Sequence, residues 1–247
     1  QYHSVIDLIL KSQYLTALTI NPPIFVSALR QFWTNATIIR DDKQVTGIQS
    51  TVGGTQVLVT PELLSKVLVL NEDNEPQKIT TGALHSTITD CDYEGDLSNT
   101  TLLKAHFHPQ HKFLFHTIVQ CLSPKTTAWE QMGYDMQFVM YSVLTETKLR
   151  YSKLIFNDLV TNLNKNTFLM FPRFIMACLN HLLLNAVYTD APIFIRGLDK
   201  QVFARLNTAA KPAITGDNLE HPPQVEPTPT TIPKPAKAPT KRKASTF

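Results

Sequence analysis

The stretch VTGIQSTVGGTQVLVTPELLSKVLVL, residues 45–70, contains two kinds of apolar spacing, and the change between them indicates the fold. Its first half, up to Val59, is rich in β-branched residues and is interrupted by Gly53-Gly54. Glycine reaches the positive φ that tight hairpin turns require. The pattern therefore predicts a β-hairpin at about residues 45–59.

The second half of this stretch, and most of the chain around it, has helical spacing. Thr60 suits a helix N-cap and Pro61 suits the first helical position, which predicts a short helix to about Val69. Apolar residues three and four apart recur in NPPIFVSALRQFWTNA, PQHKFLFHTIVQCL, KLIFNDLVTNL, RFIMACLNHLLLN and, at 198–209, LDKQVFARLNTA. RFIMACLNHLLLN is apolar on most sides, so we expect it to be central. The expected fold class is mainly α, a multi-helix globular domain with one small β-hairpin.

Three further helices have starts that the sequence indicates. Asn21 is a candidate cap with Pro22 at the first helical position, and Ser152 is a candidate cap for KLIFNDLVTNL. Ser123-Pro124 is expected to end one helix and begin the next, which carries Trp129 on its apolar side.

The composition changes after Lys211, which predicts two regions, a folded domain at 1–211 and a tail at 212–247. From Gly216 onward there are seven prolines, five Lys or Arg and three acids, so this part holds +2 of the formal net charge of +3. A segment with so few large apolar groups cannot bury enough surface to offset its chain entropy. We predict a disordered, proline-rich basic tail, and a body that is not a strongly basic nucleic-acid surface.

Cysteine usage and hydropathy indicate the compartment. Cys91, Cys121 and Cys178 are odd in number and widely spaced, with no Cys-x-x-Cys pair, which is not a disulfide framework. We expect a reducing intracellular setting, cytoplasmic or nuclear or both. The sequence begins at Gln1 rather than Met, which suggests a piece of a longer product, and it shows no signal peptide. No apolar run approaches the roughly 18 to 20 residues of a membrane span, so we expect no membrane partner.

Four of the eight histidines lie in AHFHPQHKFLFH, residues 105–116. A zinc site needs three or four ligands that converge on one point. His108 and His111 have helical ligand spacing, but Pro109 between them places His108 outside the helix, and His111 and His116 diverge. The pattern favours exposed or hydrogen-bonded histidines, and we predict no metal and no cofactor.

Other reactive side chains are equally scattered in the sequence. Cys121 lies five residues from His116 and on a different helix face, which argues against a Cys–His nucleophile. Asp41-Asp42 lie in an expected loop, and a second expected loop holds Asp90, Asp92, Glu94 and Asp96. We predict no catalytic residue and no enzyme activity. The alternative from the enzyme class is a metal-dependent hydrolase or nuclease that uses the histidines of the 106–116 segment with the acids of the second loop.

A short basic cluster, Lys241, Arg242 and Lys243, lies in the tail sequence PTKRK. Such clusters are recognised by nuclear import receptors or attract phosphates. The alternative interpretation is a tail that only increases solubility.

Several segments resemble, in order, a module of plant LTR-retrotransposon polyproteins, especially of copia-type elements, akin to a domain of plant transposon proteins. The segments are INPPIFVSALRQFW, GTQVLVTPELLSKVLVL, HKFLFHTIVQCLSPKTTAWEQM, KLRYSKLIFNDLVTNL and FLMFPRFIMACLN. The resemblance covers most of residues 14–184 and implies no catalytic residues. It also implies that, of the four clustered histidines, only His116 matches the module's pattern.

The resemblance and the missing catalytic groups lead to one functional expectation. The chain is expected to be a non-enzymatic retrotransposon polyprotein module that acts by protein or self association. Its tail would aid nuclear import or contact nucleic acid weakly. The hydrolase alternative stays open, and so does a longin-type trafficking adaptor, although that fold needs a five-stranded sheet.

Overall fold

The computed structural model of the 247-residue chain describes residues 3–42, 44–73, 78–125, 128–165 and 169–195. The predicted helix at 198–209, the domain boundary at 211 and the tail at 212–247 lie outside these residues and stay predictions. The described residues form the helices α1 His3–Lys11, α2 Leu15–Thr19, α3 Val26–Asn35, α4 Pro61–Val67, α5 Thr81–Thr89, α6 Pro109–Leu122, α7 Tyr134–Thr145, α8 Tyr151–Lys165 and α9 Pro172–Leu182. They also form the strands β1 Thr37–Asp41, β2 Gln44–Val52, β3 Thr55–Val59, β4 Leu102–Leu103 and β5 Gln131–Met132.

The predicted hairpin is confirmed, but it belongs to a larger sheet. Strands β2 and β3 pair antiparallel and are joined at Gly53-Gly54, whose φ values are 57° and 77°. Strand β1, which was not predicted, pairs antiparallel with β2 on its other side and gives the order β1-β2-β3. Strands β4 and β5 add a separate two-residue pairing. The expectation of one small hairpin was therefore wrong in extent: the described part of the chain is helical with a three-stranded sheet.

The sheet packs against α3 through β2. Ile48 of β2 and Val59 of β3 are fully buried, as are Leu29 and Phe32 of the helix. The Ser50 hydroxyl donates a hydrogen bond of 2.7 Å to the Phe32 carbonyl oxygen, which ties the middle of β2 to the helix. Alternation of apolar side chains along β2 thus places one face of the sheet in the core.

Helix α9 is central, as its all-round apolar sequence predicted. Residues Phe174, Ile175 and Met176 are at most 1% exposed, and the helix packs against α3, α4 and β3. The sequence pattern placed its end too late, however. The helix ends at Leu182, so the last residues of RFIMACLNHLLLN lie beyond it.

Buried Arg173 joins the start of α9 to two other helices. Its guanidinium donates to the carbonyl oxygens of Ile20 at 2.9 Å and of Cys121 at 2.7 Å, with a longer contact of 3.5 Å to Leu18. These carbonyls lie at the C-terminal ends of α2 and α6, where a cation is favourable because the helix dipole is negative there. Burial lowers the pKa of Arg173, but its ordinary value is so high that the group stays charged.

The structure confirms one predicted helix cap and corrects two others. Thr60 caps α4 as predicted, because its hydroxyl accepts a hydrogen bond of 3.2 Å from the Leu63 N–H. Asn21 does not cap α3, which begins at Val26, because Ile24 is extended and pairs with Ile193. Ser152 does not cap α8, which begins at Tyr151 and has Ser152 within its first turn.

The predicted start of α7 was also wrong. The helix begins at Tyr134, so it does not follow directly on Ser123-Pro124. Trp129 lies before it, and Met132 forms part of β5 opposite Leu102. Met132 has helical spacing in the sequence, but in the structure it pairs as a strand residue with Leu102, which is distant in the chain.

Candidate functional site

The four clustered histidines do not come together. His106 and His108 are exposed, His111 is buried and His116 is half-buried, and His108 precedes α6 as Pro109 predicted. Among the residues that the structure describes, no group of three or more His, Cys, Asp or Glu side chains is placed to hold a metal ion. The geometry therefore gives no support to the alternative of a metal-dependent hydrolase at this segment.

The two inner histidines have the electrostatics of packed neutral imidazoles. Burial lowers the pKa of His111, against a hydrogen bond to the Cys91 backbone that raises it. Burial also lowers the pKa of His116, and the charge of Lys104 acts in the same direction. The Nδ1 atoms of both rings are buried and make no hydrogen bond with the described residues. The Nδ1 atom of neither ring is therefore open to solvent or to a metal ion.

The cysteines and the acidic loop do not form a reactive centre either. Burial raises the pKa of both Cys91 and Cys178 to about 12, so at neutral pH these thiols are protonated and poorly nucleophilic. Cys121 forms no disulfide, and its carbonyl oxygen accepts a hydrogen bond from Arg173. In the loop from Asp90 to Asp96, hydrogen bonds from the backbone and side chain of Ser98 lower the pKa of the fully exposed Asp96.

The two remaining sequence candidates are the acidic pair at 41–42 and the basic cluster of the tail. Asp41 and Asp42 are exposed, and Asp42 has a positive φ of 41° at the connection between β1 and β2. The basic cluster of Lys241, Arg242 and Lys243 lies outside the described residues and stays a prediction.

The most unusual surface is one that the sequence reasoning missed, and we call residues 182–195 the apolar arm. Nine large apolar side chains are exposed among the described residues, and four of them lie in this short segment. Leu184 is 83% exposed, Val187 90%, Phe194 51% and Leu182 39%. Single exposed apolar side chains are ordinary on protein surfaces, whereas four within residues 182–195 make this segment a candidate contact surface.

The apolar arm is anchored to the beginning of α3 by its second half. The Asp190 carboxylate accepts hydrogen bonds from the Ser27 N–H at 3.0 Å and from the Ser27 hydroxyl at 2.5 Å. Ile193 and Ile24 exchange two backbone hydrogen bonds of 2.8 Å each. Because the N-cap residue of α3, Phe25, has no side-chain acceptor, Asp190 supplies the cap that the helix itself lacks.

Aromatic packing and electrostatics strengthen this anchor. The rings of Tyr188 and Phe25 are in contact, with centroids 4.5 Å apart. Burial raises the pKa of Asp190, but the hydrogen bonds from Ser27 outweigh burial and leave the pKa below its ordinary value. The carboxylate is therefore ionised at neutral pH, as a cap at the positive end of a helix dipole requires.

A groove of about 700 Å³ lies between the apolar arm, α3 and the hairpin turn. Its floor includes Gln31, whose side-chain oxygen accepts a hydrogen bond of 2.8 Å from the Gly53 N–H. Tyr188 lines the groove with a buried hydroxyl that makes no hydrogen bond within the described part of the chain. The groove thus combines apolar side chains of the arm with a few polar groups of α3 and the hairpin turn.

A second open cavity of about 610 Å³ lies beside α4 and the start of α8. Lys66 and Arg150 face it together with Glu62, Glu72 and Asp73. The Glu72 carboxylate is already occupied, because it accepts hydrogen bonds from the N–H and the hydroxyl of Ser152 at 2.6 and 2.5 Å. The mixture of basic and acidic side chains around this cavity does not indicate one class of ligand.

The sequence did contain a signal for the apolar arm. Its first residues, up to Asn185, were assigned to the predicted central helix, and the residues after them were not assigned to any element. Pro192 and Asp190 within the next few residues are incompatible with a continuing helix. Large apolar residues in a stretch that cannot be regular are candidates for a contact surface.

Comparison with protein-family models, with curated proteins and with solved structures found no match. In the part of the chain that the structure describes, no helix combines the length and the apolarity that a bilayer span requires.

Proposed function

We propose that this chain is a non-enzymatic module of a plant LTR-retrotransposon polyprotein that acts by self-association, with the apolar arm as its contact surface. The collinear sequence segments described above support the polyprotein origin. The observation that carries the mode of action is the concentration of exposed leucine, valine and phenylalanine side chains on an anchored segment. The sheet of three strands in the described residues favours this proposal over a longin-type adaptor, which needs five.

The energetics are adequate for association between copies. Burial of a large aliphatic or aromatic side chain contributes about 1.5 to 3 kcal/mol. A two-fold contact buries the arm side chains of both copies, which is comparable with the roughly 4 to 15 kcal/mol that association costs. Because Asp190 and Ile193 already hold the arm in place, little further ordering is needed on binding.

The test compares two double variants of the full chain by size-exclusion chromatography with light scattering over a range of concentrations. Leu184→Asp with Val187→Asp places charge on the apolar arm. The matched control, Leu10→Asp with Leu58→Asp, places the same charge on exposed apolar residues elsewhere, at 50% and 47% exposure. We expect the arm variant to weaken self-association at least tenfold and the control to behave like the wild type. An unchanged mass profile for the arm variant would overturn the proposal.

The tail contributes a separate part of the proposed function. Lys241, Arg242 and Lys243 are proposed to aid nuclear import or to contact nucleic acid weakly through phosphates. Deletion of residues 234–247 from a fluorescent fusion is expected to reduce its nuclear fraction. The same nuclear distribution with and without these residues would remove the tail from the proposal and leave the apolar arm unaffected.

A further inference from the structure

We propose that residues 90–107, which we call the covering loop, form an acid-sensitive cover that opens from α6 when His111 and His116 become protonated. All residues of the covering loop lie in the described part of the chain. This device is separate from the apolar arm and from the function proposed for it.

The two histidines of α6 meet the covering loop at two different places. His111 makes a hydrogen bond to the Cys91 backbone and is influenced by the charge of Asp92, and both of these residues lie at the start of the loop. His116 is influenced by the charge of Lys104, near the end of the loop. A change in either imidazole therefore acts on the contact between the loop and the helix.

The covering loop buries an aromatic cluster against α6. The ring centroids of Tyr93 and Phe107 are 4.6 Å apart, and those of Phe107 and Phe115 are 5.5 Å apart. All three side chains are at most 9% exposed. Regular structure within residues 90–107 is limited to the two residues of β4 and one 3-10 turn at Lys104–His106. A segment with so little backbone pairing opens at a lower free energy than the helices around it.

Neither imidazole has a partner for a second proton. The Nδ1 atoms of His111 and His116 are buried and make no hydrogen bond with the described residues. Protonation turns each of these atoms into a donor, and a buried donor without an acceptor is unfavourable. Once the covering loop has opened, water accepts these hydrogen bonds. Protons therefore bind the open form more tightly and shift the population towards it.

The charge of Lys104 adds to this effect at His116. The Lys104 ammonium opposes a positive charge on the ring, whereas Glu130 favours it. Glu130 is already paired with Lys104 at 3.3 Å, and its side chain is 72% exposed. An exposed carboxylate is screened by water, so it offsets only part of the repulsion between the two cations.

The charges around His111 act in both directions. Asp92 favours a positive charge on the ring and His108 opposes it, while burial has the largest influence. Burial raises the pKa of the adjacent Cys91 thiol to about 12, so this thiol stays neutral when histidines titrate. Helices α1, α2 and α7 also pack against α6, and their charged side chains in the described part of the chain shift the pKa of neither ring: Asp7, Lys11 and Asp135.

The direction of the pH dependence follows from these contacts. Burial lowers the pKa of His111 and of His116 in the closed form, whereas an exposed histidine has a pKa of about 6.5. The open form therefore binds more protons, and the closed form is fully favoured only above the ordinary value. As pH falls below about 6.5, opening should increase by up to about tenfold per pH unit for each histidine.

The experiment measures hydrogen–deuterium exchange of residues 90–107 in the full chain at about pH 7.5 and about pH 5.5, corrected for its intrinsic pH dependence. His111→Gln with His116→Gln removes both imidazoles that face the loop from α6. The matched control, His106→Gln with His181→Gln, removes two exposed imidazoles. We expect exchange in the wild type and the control to be at least about fivefold faster at the lower pH, and exchange in the α6 variant to change little.

Three results would overturn the proposal. Equal wild-type exchange at both pH values would show that the loop does not respond to acid. The same acceleration in the α6 variant would assign the response to other groups. Equal acceleration in α8 and α9 would show that the whole domain unfolds rather than the loop.

His116→Gln alone keeps the proposal testable if the double variant does not fold. It should lose about half of the wild-type response on a logarithmic scale, because one of the two protons is removed. An undiminished response in this single variant would also overturn the proposal.

Discussion

Helix α9 and the apolar arm that follows it are similar in composition and opposite in environment. Phe174, Ile175 and Met176 in the helix are at most 1% exposed, whereas Leu184 and Val187 in the arm are 83% and 90% exposed. The helix satisfies its own backbone and presents its side chains to α3, α4 and β3. The arm is irregular, and two tertiary interactions, the Asp190 cap and the pairing of Ile193 with Ile24, hold its backbone against α3.

This difference shows that apolar composition alone does not distinguish a core segment from a contact surface. What decides burial here is whether the backbone can continue in a form that packs all its side chains together. Beyond Leu182 the chain reaches Asp190 and Pro192, which favour turns and helix ends. The apolar side chains between these positions therefore project from an anchored segment rather than into the core.

The largest expected effect concerns the start of α9. Arg173→Met removes the charged donor to the carbonyl oxygens of Ile20 and Cys121, which lie in partly buried surroundings. The loss of these charge-assisted hydrogen bonds and of the charge–dipole interactions should lower the free energy of unfolding by about 3 kcal/mol. Chemical denaturation followed by circular dichroism measures this directly.

Arg173→Lys provides the control for this prediction. A lysine keeps the charge but lacks the fork of donors that reaches several carbonyl oxygens, so it should recover only part of the loss. If the methionine variant is as stable as the wild type, α9 is held in the core by apolar packing alone. Helix α9 and the arm would then differ fully in what holds them, because the arm depends on polar anchors.

The parts of the fold that the sequence predicted are those with local causes. The Gly53-Gly54 turn, the Thr60 cap of α4 and the position of Pro109 at the start of α6 depend on neighbours in the chain. Two of the helix caps that were not predicted come from distant residues. Asp190 is 163 residues from Ser27, and Glu72 is 80 residues from Ser152. No window of sequence contains both members of such a pair.

Less of the candidate site than of the fold could be predicted from the sequence. Spacing around Pro109 correctly placed His108 outside α6. The apolar arm was not predicted, because its residues continue the composition of a buried helix and only the tertiary contacts of Tyr188 and Asp190 separate them from it. Whether a side chain is exposed depends on how the whole molecule packs. The spacing of apolar residues predicts it only for a regular helix or strand.

The smaller effect concerns the two carboxylates that cap helices from a distance. Glu72→Ala and Asp190→Ala each remove an acceptor of two hydrogen bonds from a serine N–H and hydroxyl. Loss of a helix cap typically costs about 0.5 to 2 kcal/mol. Because α8 packs within the core against α4, Glu72→Ala should lower global stability by about 1 kcal/mol.

Asp190→Ala should leave the denaturation midpoint nearly unchanged and instead speed hydrogen–deuterium exchange in residues 183–195.

Acid should reproduce the effect of Asp190→Ala without any substitution. The pKa of Asp190 is lowered in the folded chain, so its cap is fully present above the ordinary pKa of an aspartate, about 3.9, and is lost as pH falls through the lowered value. Exchange in residues 183–195, corrected for its intrinsic pH dependence, should therefore accelerate in that acid range for the wild type and not for Asp190→Ala. An equal loss of global stability in the two alanine variants would contradict the distinction drawn here, because the arm would then unfold together with the core rather than apart from it.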